Sequence, residues 1–206
     1  MKFKSSRRMF LQSSALACPF LFLPRLRAAE AWETNEVIQK SRRAALAVLK
    51  PTPAQLERGL KLHQESLVFD TYGFAPRCAV DGEAMAKLAA ENASAVEIQD
   101  ARERMMMVRC VDNAAECEEF TQAWKASGVT CIFQNAGEEG QAPLRLIKRL
   151  ANFPYVTDPL KGFLNKAAPP ADIEAAKKAN QHCLYFTGNG VPLTQQWISV
   201  PDELRY

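Results

Sequence analysis

Apolar and polar positions alternate along this chain between two periods. Three short apolar runs predict strands over Ser66–Phe69, Val129–Phe133 and Cys183–Phe186. The segments between them carry helical spacing. Thr34–Leu49 predicts an N-terminal helix, stopped by Lys50-Pro51-Thr52-Pro53; Thr52 then caps a second helix with Pro53 at its first position and Leu56, Leu60 and Leu62 along it. Asp81–Ala90 and Ser94–Met107 predict two more, the second dense in Glu, Arg and Met. Asp112 or Asn113 starts a helix whose inward side holds Cys117, Phe120 and Trp124, and Ser127-Gly128 ends it. Ala142–Leu150 and Pro170–Asn180 complete the set, the latter with Asp172 near its start and Lys177-Lys178 near its end, as the helix dipole favours. Asn152–Pro170, broken by prolines, reads as a long surface excursion.

Strands alternating with helices predict an α/β fold of about three βα units behind N-terminal helices, joined by right-handed crossovers in a parallel sheet or part of a barrel. No short repeat or low-complexity tract is present. The last residues, Ser199-Val200-Pro201-Asp202-Glu203-Leu204-Arg205-Tyr206, announce a helix start, either of a short docked helix or of a frame cut short. A complete eight-stranded barrel usually needs ~250 residues, more than the 206 present.

Composition fits one globular domain, with 48% apolar and 24% charged residues. The formal net charge of +3 is concentrated at the N-terminus, where Lys2, Lys4, Arg7, Arg8, Arg25 and Arg27 precede Ala31. Without those six, 20 basic residues face 23 acidic ones. No clustered basic surface is implied, so nucleic acid is not an expected partner. Ser6-Arg7-Arg8-Met9-Phe10-Leu11 resembles the twin-arginine export motif, with Arg7 and Arg8 as its signature. It precedes an apolar run, Ala15–Leu23, too short to span a bilayer, and small residues Ala28, Ala29 and Ala31 suited to cleavage. The expectation is a signal peptide over 1–31, read by the twin-arginine export machinery, and a bacterial protein delivered to the periplasm or beyond.

Cys78, Cys110, Cys117, Cys131 and Cys183 remain after such processing. Their odd number and the lack of a Cys-x-x-Cys pair argue against a zinc knuckle, a thioredoxin-like site or a regular disulfide framework. Cys131 and Cys183 read as small buried hydrophobes within strands, and whether Cys110 pairs with Cys117 is left to the folded geometry. No nucleophile elbow, phosphate loop or dinucleotide fingerprint is present; Gly188-Asn189-Gly190 is only a fragment of the last. Carboxyl ends of parallel strands are where such folds place chemistry. Here they carry Asp70, Tyr72, Phe74, Gln134, Asn135, Thr187 and Asn189. These seven are the candidate pocket-lining residues. Asp70 suits either orienting a neighbour or capping the strand-end loop, and the amides and Thr187 suit a polar pocket or ordinary turn chemistry equally.

Leu67-Val68-Phe69-Asp70-Thr71-Tyr72-Gly73-Phe74-Ala75-Pro76 resembles the first strand of the membrane dipeptidase family (peptidase M19, renal dipeptidase-like). Lys125–Gln134 is similar to that family's second strand, Ala179–Gly190 to its third, and Pro201–Tyr206 to the opening of the next helix. The resemblance covers only the N-terminal half of the family's chain. It implies a partial (β/α)8 TIM-like barrel of the metal-dependent hydrolase type over 32–206, and a family activity of zinc-dependent dipeptide hydrolysis. The family's metal-binding His and Asp fall on Tyr72 and Phe74, and its bridging Glu falls on or beside Gly188. The two histidines, His63 in a predicted helix and His182 at the start of a strand, stand away from strand carboxyl ends. The expectation is therefore a membrane-dipeptidase-like chain that binds no zinc and is inactive alone. The alternative is a non-catalytic exported protein that binds a small molecule or is a remnant. An incomplete barrel would leave an open sheet edge for self-association.

Overall fold

Most helix starts follow from side chains that accept the free N–H groups of the first turn. The computed structural model describes residues 30–137 and 143–188; Arg7, Arg8, Asn189 and the closing stretch 199–206 lie outside them. The elements are α1 (Ala31–Thr34), α2 (Glu36–Leu49), α3 (Pro53–Glu65), β1 (Phe69–Gly73), α4 (Gly82–Ala90), α5 (Ala95–Asp112), α6 (Ala114–Ser127), β2 (Cys131–Asn135), α7 (Pro143–Thr157), β3 (Leu164–Ala167), α8 (Pro170–Lys178) and β4 (His182–Thr187). Thr52 with Gln55 and Ser94 with Glu97 form reciprocal capping boxes, and Asp81 and Asn113 cap α4 and α6. Asn35 does the same for α2 by accepting from the Val37 and Ile38 amides, so the expected helix Thr34–Leu49 starts at Glu36, behind the single turn α1.

Three expectations are corrected. The first strand begins at Phe69 and runs through Tyr72 to Gly73, and the second is displaced in the same direction. Backbone pairing sets those limits: the Thr130 and Cys131 amides both donate to the Val68 carbonyl, and the ladder starts only beyond it. Nor is the first strand buried, since Phe69 is 49% and Tyr72 60% exposed. The largest correction falls on Asn152–Pro170, which is not a surface excursion. α7 continues through Pro154 to Thr157, and β3 follows. A proline inside a helix costs about 3 kcal/mol, and the burial of Phe153 and Val156 on either side of Pro154 offsets it.

The strands form one parallel sheet in the order β1-β2-β4-β3, so four strands stand where three were expected. β2 and β4 pair along their length, from Cys131 opposite Cys183 to Asn135 opposite Thr187. The alternation of strand side chains then divides the core. On one face Ile132, Leu164 and Leu184 pack against Val108 and Cys110 of α5, Phe120 and Trp124 of α6, and Val156 of α7. On the other, Cys131, Cys183 and Ala167 lie beneath Ile173 and Ala176 of α8. Beside them Phe69, Phe133 and Tyr185 form a row of rings with centroids 6.0 and 4.8 Å apart.

The side on which each helix lies follows from crossover handedness. From β1 to β2 and from β2 to β3 the chain moves in one direction across the sheet, and α6 and α7 share a face. From β3 to β4 it moves back, and a right-handed connection then places α8 on the opposite face. Successive barrel strands, by contrast, carry all their helices on the outside.

Candidate functional site

A cleft of about 340 Å³ opens at the carboxyl ends of β1 and β2, roofed by α5 and α7. Side chains of Met106, Met107, Phe153 and Leu184 line its apolar part, and Phe74 stands at the β1 side. Sheets of parallel strands present such crevices because loops and helix starts diverge there. This one is bounded by the strand-end segment 74–77 and by the middle of α5.

Three of the predicted pocket residues, Phe74, Gln134 and Asn135, line the cleft. Gln134 accepts through Oε1 from the Ala75 amide at 2.6 Å, fixing the 74–77 wall to β2. Asn135 accepts from the Gly137 amide at 3.1 Å and donates to the Tyr72 hydroxyl at 3.4 Å. Tyr72 therefore supports the cleft through Asn135 and does not line it. Asp70 serves the strand-end turn, its Oδ1 accepting from the Tyr72 amide at 3.0 Å. Its other oxygen explains Gly73, where a Cβ would come within 2.5 Å of Asp70 Oδ2. Thr187 stands in register with Asn135 and accepts from the Ala136 amide through its backbone carbonyl at 2.7 Å. Asn189 falls outside the described residues.

The charged part of the cleft comes from helices α5 and α7 and from Arg77 of the strand-end segment. Arg77, Arg102 and Arg149 line it, opposed by one carboxylate among the lining residues, Glu103. Glu103 is tightly held. Arg149 donates to both its oxygens at 3.0 Å, Arg145 to Oε1 at 2.5 Å and Gln99 to Oε1 at 2.8 Å. Burial pushes the Glu103 carboxyl up, but the hydrogen bonds from Arg149 and Gln99, the Arg149 charge and the Arg145 hydrogen bond together bring it down to about 2. Arg102 is exposed and pairs with no carboxylate among the described residues, while Arg77 lies 5.0 Å over the Phe74 ring. The lining amide Asn152 accepts from Arg104 at 3.1 Å and donates to Met107 Sδ at 3.6 Å.

Chemically, this arrangement suits binding. Its amides are engaged by neighbouring protein groups, Glu103 is locked in ionised form, and among the described lining residues the surplus charge is positive. A carboxylate that far below neutrality is a poor proton acceptor at ordinary pH. The positions where the dipeptidase resemblance puts metal ligands hold a phenol and a phenyl ring, Tyr72 and Phe74. No three His, Cys, Asp or Glu side chains among the described residues come together so that they could hold a metal ion. The residues present do not fit the zinc centre that the resemblance implies.

Neither histidine reaches the cleft. His182, at the opposite end of β4, bonds through Nδ1 to the Val129 carbonyl at 2.7 Å and lies 5.0 Å from the Trp124 ring and 5.1 Å from Phe163. Burial lowers its pKa. His63 of α3 packs on Gly128. The five described cysteines are free thiols: Cys131 and Cys183 are buried as the strand pattern predicts, and Cys110 meets Cys78 instead of Cys117.

Sequence reasoning missed Arg77 of the strand-end segment and the helix-borne half of the site: Gln99, Arg102, Glu103, Met106, Met107, Arg149 and Asn152. A signal was present in Arg102 and Glu103 beside Met106 and Met107, mixed charge and apolar bulk within two turns of helix. Asn152 and Phe153 were hidden by the reading of their segment as a loop. Comparison of the chain with family models, with curated proteins and with solved structures finds no match.

Proposed function

We propose that this chain is a non-catalytic binding protein for a small organic anion with an apolar body, held in the cleft between the strand ends and helices α5 and α7. The observation that carries this reading is the composition of the cleft wall. Arg77 and Arg102 present positive charge beside Phe74, Met106 and Met107, while Glu103, the one carboxylate among the described lining residues, is neutralised by Arg145 and Arg149. A ligand carboxylate would meet Arg102, and its hydrocarbon part the methionine and phenylalanine side chains. The likeness of the strand ends to membrane dipeptidases makes a hydrophobic dipeptide the first ligand to test. Replacement of the expected metal ligands by Tyr72 and Phe74 supports binding without hydrolysis.

The test is calorimetric titration of the full chain with a hydrophobic dipeptide, its C-terminal amide, and an aryl carboxylate. A hydrogen bond to a charged group contributes about 1.5–3 kcal/mol. Arg102→Gln should therefore weaken carboxylate binding about tenfold or more, and the dipeptide amide should bind as weakly as the acid binds that variant. Equal affinity of acid and amide, or of native and substituted protein, would remove the reading. Metal-dependent cleavage of the dipeptide would replace it with the hydrolase reading.

A further inference from the structure

We infer that Cys78 and Cys110 form a redox-active pair, which closes to a disulfide by exchange with an external disulfide and so fastens the 74–77 wall of the cleft to helix α5. The geometry is specific to this pair. The Cys110 amide donates to Cys78 Sγ at 3.2 Å, and the Cys78 amide donates to the Met106 carbonyl at 2.9 Å. Cys78 is thus docked on α5 through both its backbone and its sulfur. The segment after it is held as well: Arg109 donates to the Ala79 carbonyl at 2.7 Å, the Ala79 amide donates to Glu116 at 2.9 Å, and Arg109 pairs with Glu116 at 3.3 Å. Two thiols in a preorganised setting need little backbone movement to meet the narrow geometry of a disulfide.

Their environments give them different roles. The hydrogen bond from the Cys110 thiol lowers the Cys78 pKa; burial and Glu116 oppose this, and the Cys110 amide and the Arg109 charge add to it. That same hydrogen bond, followed by burial, pushes Cys110 up. Both sulfurs belong to the same core cluster, but Cys78 is 7% exposed and lies between two exposed residues, Arg77 and Ala79, whereas Cys110 is 1% exposed on the inward side of α5. Cys78 is the attacking group and Cys110 the resolving one. The Cys78 thiolate attacks one sulfur of the external disulfide and expels one thiol. Cys110, losing its proton to the medium, then attacks Cys78 Sγ in the mixed disulfide and expels the second thiol. Two protein thiols are oxidised and one external disulfide is reduced to two thiols.

The other adjacent pair provides the internal contrast. Cys131 and Cys183 stand opposite each other on β2 and β4, but both are enclosed between the sheet and α8, and neither has an exposed neighbour in its strand. An external disulfide reaches Cys78 first.

The experiment treats the reduced full chain, folded and without denaturant, with oxidised glutathione, blocks remaining thiols by alkylation, and maps peptides without reduction. The expected product has lost two hydrogen atoms in mass and links the peptides of Cys78 and Cys110, with Cys18, Cys117, Cys131 and Cys183 alkylated after unfolding. Its melting midpoint should exceed that of the reduced protein, and Cys78→Ser should abolish both changes. Should that variant fail to fold, the peptide map of the native sequence decides alone. Persistent free thiols at Cys78 and Cys110, a glutathione adduct on Cys78 that never resolves, or a link through Cys117 or between Cys131 and Cys183 would each overturn the inference.

Discussion

Replacing Glu103 by Gln should destabilise the protein and at the same time strengthen its hold on anions. Glu103 is the carboxylate on which Arg145 and Arg149 converge, with its side chain 15% and that of Arg149 20% exposed. Glutamine keeps the volume and one acceptor oxygen but removes the charge that both guanidinium groups face. A carboxyl held at about 2, against an ordinary value near 4.3, corresponds to an upper bound of about 3 kcal/mol. Solvent at the rim screens part of this, leaving about 1–2 kcal/mol for the loss on substitution. The sign with pH follows from the depressed value. The carboxylate stabilises the fold fully above its unfolded-state pKa, and this contribution fades as pH falls from about 4 toward about 2. Urea unfolding of both proteins at neutral pH should therefore differ by about 1–2 kcal/mol, and the gap should shrink by about half near pH 3. Anion affinity should move oppositely, because the negative charge of Glu103 no longer offsets the arginines that line the cleft. A gap that stays constant with pH would refute the electrostatic account and leave only a packing effect.

Two further outcomes test the packing around the sheet. Gly128 ends α6 at φ +63°, with the His63 ring 2.7 Å from where a Cβ would stand. Gly128→Ala should cost about 1–2 kcal/mol from the left-handed conformation, plus the clash. The second part alone should be relieved by adding His63→Ala, as thermal unfolding of the single and double variants would read; no relief would dissociate the two residues. At the edge of β1 that no described strand pairs with, Phe69 is 49% exposed, and we propose that copies of the chain associate there. Phe69→Lys should lower the sedimentation coefficient at high concentration if that edge is the contact, and unchanged behaviour would rule the edge out.

Local chemistry was legible where one residue decides the outcome. Thr52, Asp81, Ser94 and Asn113 each mark a helix start by a side chain that accepts first-turn amides, and Gly128 marks an end by its positive φ. Strand limits were not, because an edge strand is defined by its partner: Phe69–Gly73 is a strand where β2 offers ladder groups, whatever the hydropathy of Leu67 and Val68. The segment from Asn152 to Pro170 was misread for a related reason. Pro154 is a local signal against helix, and only the sheet that buries Phe153, Val156 and Leu164 reverses it. The candidate site divides in the same way. Phe74, Gln134 and Asn135 were visible as strand-end residues, whereas Arg102, Glu103 and Arg149 come together only when α5 and α7 cross above the strand ends.

The position of β3 also decides what kind of sheet carries this site. The three strands visible in the sequence, β1, β2 and β4, do stand side by side in chain order. A barrel grows from such a set by pairing its next strand with the free edge of the last. Here that edge of β4 is taken by β3, paired from Leu164 opposite His182 to Ala167 opposite Tyr185. Continuing the sheet beyond β4 in barrel fashion would require β3 to leave and Leu164, fully buried, to lose its core. The face that would look into a barrel is likewise occupied, since α8 seats Ala176 over Cys131 and Cys183. Among the described residues the sheet runs from β1 at one edge to β3 at the other, and its cleft owes most of its charge to α5 and α7, the helices that a barrel would keep on its outside.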